Sequence, residues 1–138
     1  MKGIARLLSV AAVAVVSFVV ALFSFRQPPA RECQMSSVRD PAYEVRFEEQ
    51  PTLNQRVYHL LVSHDGVPVS GAQVCMRANM GGTGNMSGMG VSNLASEVGP
   101  GRYELGVTLQ MAGPWRGVAI VTEPNKRAVN VPLAFNTS

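Results

Sequence analysis

The sequence is poor in cysteine, histidine, tryptophan and charge, and these shortages exclude several classes of protein. It has two cysteines, two histidines and one tryptophan in 138 residues, and 15% of its residues are charged. No group of histidine, cysteine and acidic residues has the spacing of a zinc site. No glycine pattern is followed by the lysine and hydroxyl residue that cradle phosphate. Neither a nucleophile elbow nor a pair of catalytic carboxylates is present, so we expect no enzyme.

Positive charge is too sparse to predict a nucleic-acid partner. The formal net charge is +3 at pH 7, but Lys2 and Arg6 precede a long apolar run and account for two of the twelve basic residues. The remaining ten basic residues are almost balanced by nine acidic residues. We therefore expect no basic face that could bind nucleic acid.

Residues 7–25 are nineteen consecutive uncharged residues near the amino terminus. A helix of this length spans about 28 Å, close to the hydrocarbon thickness of a bilayer. The run ends without a small-x-small cleavage site, which favours an uncleaved anchor over the alternative, a cleaved signal that leaves a soluble periplasmic protein. Lys2 and Arg6 favour a cytoplasmic amino terminus. The sequence thus predicts that residues 1–25 anchor a single-pass protein in a bacterial inner membrane, with its C-terminal domain in the periplasm.

The rest of the chain predicts a tether followed by one all-β domain. Residues 26–41 are polar, lack periodicity and contain prolines that stiffen a tether. Residues 42–138 show about seven short runs of alternating apolar residues and no helical period, which is typical of an Ig-like antiparallel β-sandwich. One short strand is predicted at 94–98, and Pro132 indicates an edge strand because it cannot donate a ladder hydrogen bond. The alternation predicts a set of buried side chains: Tyr103, Leu105, Val107 and Leu109.

Methionines surround the glycine-rich stretch 81–90, which contains five glycines. Met80 precedes this stretch, Met86 and Met89 lie within it, and Met111 ends a later predicted strand. A glycine-rich loop does not need methionine for folding, whereas thioether sulfur is a soft, neutral ligand that suits Cu(I). We expect Met80, Met86 and Met89 to converge near the 111–115 turn. Met76, on the apolar face of its strand, is predicted to belong to the core. The alternative is that the loop forms an adaptable apolar contact surface without metal.

The histidines and cysteines leave further alternatives open. His59 is predicted to be structural, and His64 could add a nitrogen ligand only if its turn lies at the same end of the domain as the loop. An exported chain with two cysteines can form a disulfide. The alternation places Cys75 on the polar face of its strand, where a tether carrying Cys33 could pass. The sequence does not decide whether the two cysteines pair.

Residues 101–103 (Gly-Arg-Tyr), the alternating residues after them and residues 111–115 (Met-Ala-Gly-Pro-Trp) resemble the YtkA-like, FixH-related family of exported domains. The 68–72 approach (Pro-Val-Ser-Gly-Ala) fits the same pattern. The resemblance implies an Ig-like sandwich, often beside a membrane anchor and linked to copper handling or to assembly of copper-containing oxidases. It also implies four metal ligands, Met80, Met86, Met89 and Met111, and two fold markers, Gly113 and Trp115.

Two hypotheses of function follow from these observations. The first is a membrane-tethered Cu(I) chaperone or delivery and assembly factor, whose partner is a membrane protein that donates or receives copper. The second is an Ig-like accessory module without metal that docks on a membrane complex such as a terminal oxidase or a metal pump.

Overall fold

The computed structural model describes residue 33 and residues 36–81 and 90–138, and these residues form strands, turns and loops without a helix. The prediction of an all-β domain is therefore confirmed for the described part of the chain. The described residues contain eight strands, one more than the sequence suggested, because a two-residue strand follows the Asp65–Gly66 turn. The strands are β1 (Tyr43–Phe47), β2 (Val57–His64), β3 (Val67–Pro68), β4 (Gln73–Asn79), β5 (Gly90–Gly99), β6 (Arg102–Gly106), β7 (Gly113–Thr122) and β8 (Val129–Thr137).

The strands form one antiparallel sheet that comes close to closing on itself. Its order is β1-β2-β6-β5-β4-β7-β8, with β3 paired to β2. The two edge strands β1 and β8 face each other, and Phe47 contacts Phe135 between them with ring centroids 4.7 Å apart. The backbone N–H of Asn130 donates to the carbonyl of Val38 over 2.8 Å near the start of β8. These contacts hold the two edges of the sheet beside each other.

The inner face of this sheet holds the core. The side chains that are almost completely buried are Tyr58, Tyr103, Leu60, Met76, Leu105, Leu109, Val62, Val74 and Val121. The hydroxyl of Tyr103 donates to the carbonyl of Val69 over 2.8 Å, so the segment before β4 is fixed to the core. Burial is thus confirmed for three of the four predicted side chains. The prediction for Val107 is wrong: β6 ends at Gly106, and Val107 is only half-buried beyond it.

The sequence predicted the position of β8 correctly, but it predicted β5 as too short. Pro132 pairs with Val118 of β7, and β8 lies at one end of the strand order, so the edge position is confirmed. The strand predicted at 94–98 is longer and runs over Gly90–Gly99, paired to both β4 and β6. No side chain of β5 is fully buried, and most are exposed. Its sequence therefore shows little of the apolar alternation by which strands are recognised, and the prediction found only the second half of it.

A disulfide between Cys33 and Cys75 fixes the segment before β1 to the outer face of the sheet. The Cα atoms of the two cysteines are 5.6 Å apart. We call Cys33 and residues 36–38 the strap. Its Ser36 hydroxyl donates to the carbonyl of Ala128, and its Ser36 carbonyl accepts a hydrogen bond from the side-chain amide of Asn130. The pairing that the sequence left open is therefore made in the structure. Cys75 lies on the outer face of its strand, as the alternation predicted, and the segment with Cys33 covers it so that it is 2% exposed.

The predicted anchor, the first part of the predicted tether and the segment 82–89 lie outside the described residues. Within the described residues, no helix has the length and apolar character needed to cross a membrane.

Candidate metal site

The candidate site lies where β4 ends and β7 begins. Asn79, the last residue of β4, pairs with Gly90 at the start of β5 and with Arg116 near the start of β7. We call this part of the domain, made of residues 80, 81, 90 and 111–115, the methionine end. Both flanks of the segment 82–89 belong to it.

Met80 is half-buried against the core, and its methyl group occupies space left by Gly113. A Cβ added at Gly113 would lie 3.0 Å from the terminal methyl carbon of Met80, closer than nine in ten real contacts. Gly113 also has φ of 124°, a backbone conformation that side chains disfavour. Continuing the β4–β7 register by one residue places Met80 beside Trp115. Gly113 therefore lets the thioether of Met80 approach the 111–115 turn.

Trp115 holds this turn in place. Its side chain is 3% exposed and stacks on Phe135 with the ring planes 3° apart and the centroids separated by 6.1 Å. Its indole N–H donates to the carbonyl of Met111 over 3.1 Å. Met111 itself is half-buried at the start of the turn. The tryptophan thus links the residue before β7 to the aromatic side of the core.

The structure places the methyl group of Met80 beside Gly113 in the 111–115 turn, which begins with Met111. That these methionines bind a metal stays a prediction. Met86 and Met89 lie outside the described residues, so their convergence stays a prediction. Met76 is completely buried in the core, which confirms its structural role.

The sequence reasoning did not single out Arg116 at this end. The Cδ atom of Arg116 would lie 3.6 Å from a Cβ built on Gly81, so its side chain passes beside the glycine that begins the glycine-rich stretch. The signal was present in the alternation, because a residue that follows the buried Trp115 must face outward.

His64 lies at the opposite end of the sheet. It pairs with Tyr43 at the start of β1, and the two rings stack with centroids 4.2 Å apart. Its Nε2 is 3.6 Å from a carboxylate oxygen of Asp40 and 3.9 Å from one of Asp65. His64 therefore does not supply a nitrogen ligand to the methionine end. We call this part, made of Asp40, Tyr43, His64, Asp65 and Glu123, the histidine end.

The histidine end is held by a hydrogen bond from the Tyr43 hydroxyl to a carboxylate oxygen of Glu123. Burial, together with this hydrogen bond to the carboxylate, raises the pKa of Tyr43 to about 12. The same hydrogen bond lowers the pKa of Glu123. Lys126, whose Nζ is 3.1 Å from a carboxylate oxygen of Glu123, lowers this pKa further. The neutral phenol and the ionised carboxylate are thus the favoured protonation states of the folded domain.

His59 lies between two carboxylates on the outer face of β2. Its Nδ1 is 3.8 Å from Glu48 and its Nε2 is 3.7 Å from Glu104. Arg102 donates to Glu48 over 2.9 Å and lowers the pKa of that carboxyl. Among the described residues, no three side chains of histidine, cysteine, aspartate or glutamate are grouped so that they could hold a metal ion.

The fold and the methionine end define a small antiparallel β domain with thioether side chains at one end. Its sequence matches the profile of the YtkA-like family over residues 37–119, more than half of the chain. The protein therefore belongs to the YtkA-like family, as the residues of β6 and the 111–115 turn indicated. No match was found among curated proteins or among solved structures. The relation to FixH stays a prediction.

Proposed function

We propose that this protein is a membrane-tethered periplasmic Cu(I)-binding domain that receives copper from, or delivers it to, another membrane protein. The observation that carries the proposal is the contact of the Met80 methyl group with Gly113, beside the turn that begins at Met111. This contact places one thioether, and the backbone of a second methionine, at the end of the sheet to which the segment with Met86 and Met89 is connected.

The residues of the methionine end have the chemistry that a Cu(I) cargo needs. Residues 80, 81, 90 and 111–115 include two methionines and no histidine, cysteine or acidic residue. Neutral thioethers favour a soft monovalent ion, whereas Zn²⁺ and Cu²⁺ favour imidazole, thiolate or carboxylate ligands. Met80 and Met111 from the described residues, together with Met86 and Met89, form the proposed ligand set.

In the proposed site, glycines and Trp115 position the methionines around the ion. Gly113 leaves room for the methyl group of Met80, and Trp115 fixes the 111–115 turn through Met111. Trp115, which the extended register of β4 and β7 places beside Met80, would shield one side of the site from water. The glycines of the 81–90 stretch allow Met86 and Met89 to fold back toward this turn.

The exported location has independent support. A disulfide such as Cys33–Cys75 persists in oxidising compartments and is rare in the cytosol. The sheet order, in which β5 joins a β1-β2-β6 half to a β4-β7-β8 half, supports the Ig-like sandwich as the finer description of the fold.

Anaerobic Cu(I) competition against a chromophoric chelator, with the full-length protein in detergent, tests the proposal. We expect the double substitution Met86→Leu and Met89→Leu to weaken Cu(I) binding by about tenfold or more, because even the loss of a residue that only supports a metal ligand typically costs that much. Met80→Leu should act in the same direction. Met76→Leu is the matched control, since it removes one sulfur from the completely buried core and should leave affinity unchanged.

The second candidate function is an accessory module that uses the methionines as an apolar contact surface. The packing of half-buried Met80 against the apolar core is the observation that favours it. If the double leucine variant binds Cu(I) as tightly as the natural protein, the copper proposal is wrong and the contact surface is the better explanation.

A further inference from the structure

The disulfide joins two sulfur atoms on the outer face of the sheet. Cys75 lies near the middle of β4 and pairs with Leu94 of β5 and Ile120 of β7. Cys33 is half-buried, and its sulfur is 3.2 Å from the hydroxyl oxygen of Ser92. The two sulfurs therefore lie in a mostly apolar setting with one hydroxyl group beside them.

The strap is also attached to the domain by hydrogen bonds that do not involve its cysteine. The Ser36 hydroxyl donates to the carbonyl of Ala128, and the side-chain amide of Asn130 donates to the carbonyl of Ser36. Ser36 is three residues from Cys33, a distance of at most about 11 Å along an extended chain. These hydrogen bonds should therefore keep Cys33 close to β4 after the sulfur–sulfur bond is opened.

A pair of thiols that stays together is a ligand set for a soft metal ion. Thiolate sulfur favours Cu(I), Zn²⁺ and iron–sulfur clusters. Structural zinc sites take four ligands, and iron–sulfur clusters are usually held by four cysteines. Among the residues that the structure describes, no third histidine, cysteine or acidic side chain is grouped with Cys33 and Cys75. Cu(I), which two thiolates can hold in a linear arrangement, is therefore the metal ion that this pair fits best.

The surroundings of the pair suit a negatively charged copper complex. Two thiolates and one Cu(I) together carry one net negative charge. The Ser92 hydroxyl can donate to the sulfur of Cys33, and Arg77 follows Cys75 by two positions on the same outer face of β4. Arg77 and Ser92 also line a groove of about 560 Å³ on this face. The groove therefore brings solvent to the Ser92 side of the pair.

We propose that Cys33 and Cys75, once reduced, form a second Cu(I) site that the disulfide keeps closed. A thioredoxin-like dithiol is the reductant: one of its thiolates attacks the sulfur of half-buried Cys33, and its second thiol then resolves the mixed disulfide. The products are two cysteine thiols and the oxidised reductant. Cu(I) then replaces the two thiol protons and keeps its oxidation state. The redox state of the strap thus decides how many copper ions the domain carries.

This inference rests on the copper cargo in the proposed function, but it uses none of the methionine ligands. Met80 lies five residues beyond Cys75 and on the opposite face of the strand, roughly 17 Å away at the rise of a β-strand. The oxidised protein offers Cu(I) only the methionine end. The two sites can therefore be measured separately in one protein.

The test compares the oxidised and the reduced full-length protein in detergent without oxygen, after the reductant has been removed. Cu(I) is titrated against a chromophoric chelator, and the thiols that alkylation still reaches are counted. The reduced protein should bind one more Cu(I) per chain than the oxidised protein and show thiolate-to-copper charge-transfer absorption. The bound copper should protect both thiols from alkylation.

Two variants assign the additional copper ion to the cysteine pair. Cys33→Ser should weaken its binding at least about tenfold, because even the loss of a residue that supports a metal ligand typically costs that much. The double variant Met86→Leu and Met89→Leu should leave the additional ion unchanged, since it removes sulfur only from the proposed methionine site.

A third variant tests the role of the strap. Asn130→Ala removes one hydrogen bond to Ser36 and should weaken binding of the additional ion about fivefold, the typical worth of one hydrogen bond. Asn136→Ala is the matched control, because Asn136 is exposed on the same face of β8 and should not affect the thiols.

Equal Cu(I) binding by the oxidised and the reduced protein overturns the inference, and so does an additional ion that Cys33→Ser still binds. Loss of the native fold on reduction, seen in the fluorescence of Trp115, also overturns it, because the strap would then not hold the thiols together. Failure of the oxidised protein to bind Cu(I) overturns the proposed function instead. The count of copper bound by the reduced protein still decides this inference in that case.

Discussion

The two ends of the sheet are stabilised by different kinds of side-chain contact. The histidine end is polar: His64 stacks on Tyr43 beside Asp40 and Asp65, and the Tyr43 hydroxyl donates to Glu123. The methionine end has apolar and aromatic contacts around Trp115. The histidine end thus contains one histidine and three acidic residues, whereas residues 80, 81, 90 and 111–115 contain none. The difference predicts that the free energy of unfolding depends on pH through the contacts of the histidine end. The affinity of the methionine end for Cu(I) should not depend on pH.

We expect the largest effect on stability from removal of the Trp115 side chain at the methionine end. Trp115→Ala removes a buried indole and its hydrogen bond to Met111, which should lower the free energy of unfolding by about 3–5 kcal/mol. His64→Ala removes a half-exposed ring whose ion pairs are long, and should cost about 1 kcal/mol or less. Urea denaturation of both variants with the disulfide intact measures the two values. Similar costs for both would contradict the contrast between the buried aromatic contacts of Trp115 and the half-exposed polar contacts of His64.

Two glycines with positive φ sharpen the comparison. Gly113→Ala should cost about 2 kcal/mol, since the new methyl group must displace Met80 in a strained backbone conformation. Gly66→Ala at the other end meets no atom within 4 Å and should cost only the backbone strain, about 1 kcal/mol. Thermal unfolding compares the stabilities, and Cu(I) competition should show weaker binding for Gly113→Ala alone. Unchanged Cu(I) binding in this variant would show that the position of Met80 does not matter for the site.

The next effect concerns pH and the histidine end. The folded pKa of Tyr43, about 12, exceeds its ordinary value of 10.0, so the neutral phenol stabilises the fold below pH 10 and this stabilisation is lost between pH 10 and 12. At pH 11 the loss should be at most about 1.4 kcal/mol. Denaturation at pH 9 and pH 11 should show it in the natural protein and much less in Tyr43→Phe. An equal loss in Tyr43→Phe would assign the alkaline instability to other groups.

The sequence predicted the inner face better than the strand ends or the outer face. Alternation identified Tyr103 and Leu105 because one face of their strand packs on the core, and Pro132 because its missing N–H restricts it to an edge. It could not predict that β6 ends at Gly106, since Val107 continues the same pattern. It also could not predict the burial of Cys75, because the residue that covers it is 42 positions away and alternation contains no information on such pairs.

The sequence indicated the residues of the candidate site but not the contact between them, because that contact depends on strand pairing. A glycine-rich stretch with methionines indicates soft ligands, and the 111–115 turn was identified as its neighbour. The specific contact of Met80 with Gly113 depends on the register between β4 and β7, which connects residues more than thirty positions apart. Only the folded sheet determines this register.

The smallest expected effect is a test of the methionine end by pH. Cu(I) affinity of the full-length protein should change less than about twofold between pH 5.5 and 7.5, because thioethers need no deprotonation before they bind a metal. His64→Ala should give the same affinity and the same flat profile, since His64 lies at the opposite end of the sheet. Competition with a chelator of known pH dependence measures both proteins. A steep loss of affinity below pH 6.5 that disappears in His64→Ala would show that an imidazole binds the copper. The separation of the two ends would then be wrong as a description of where the metal site lies.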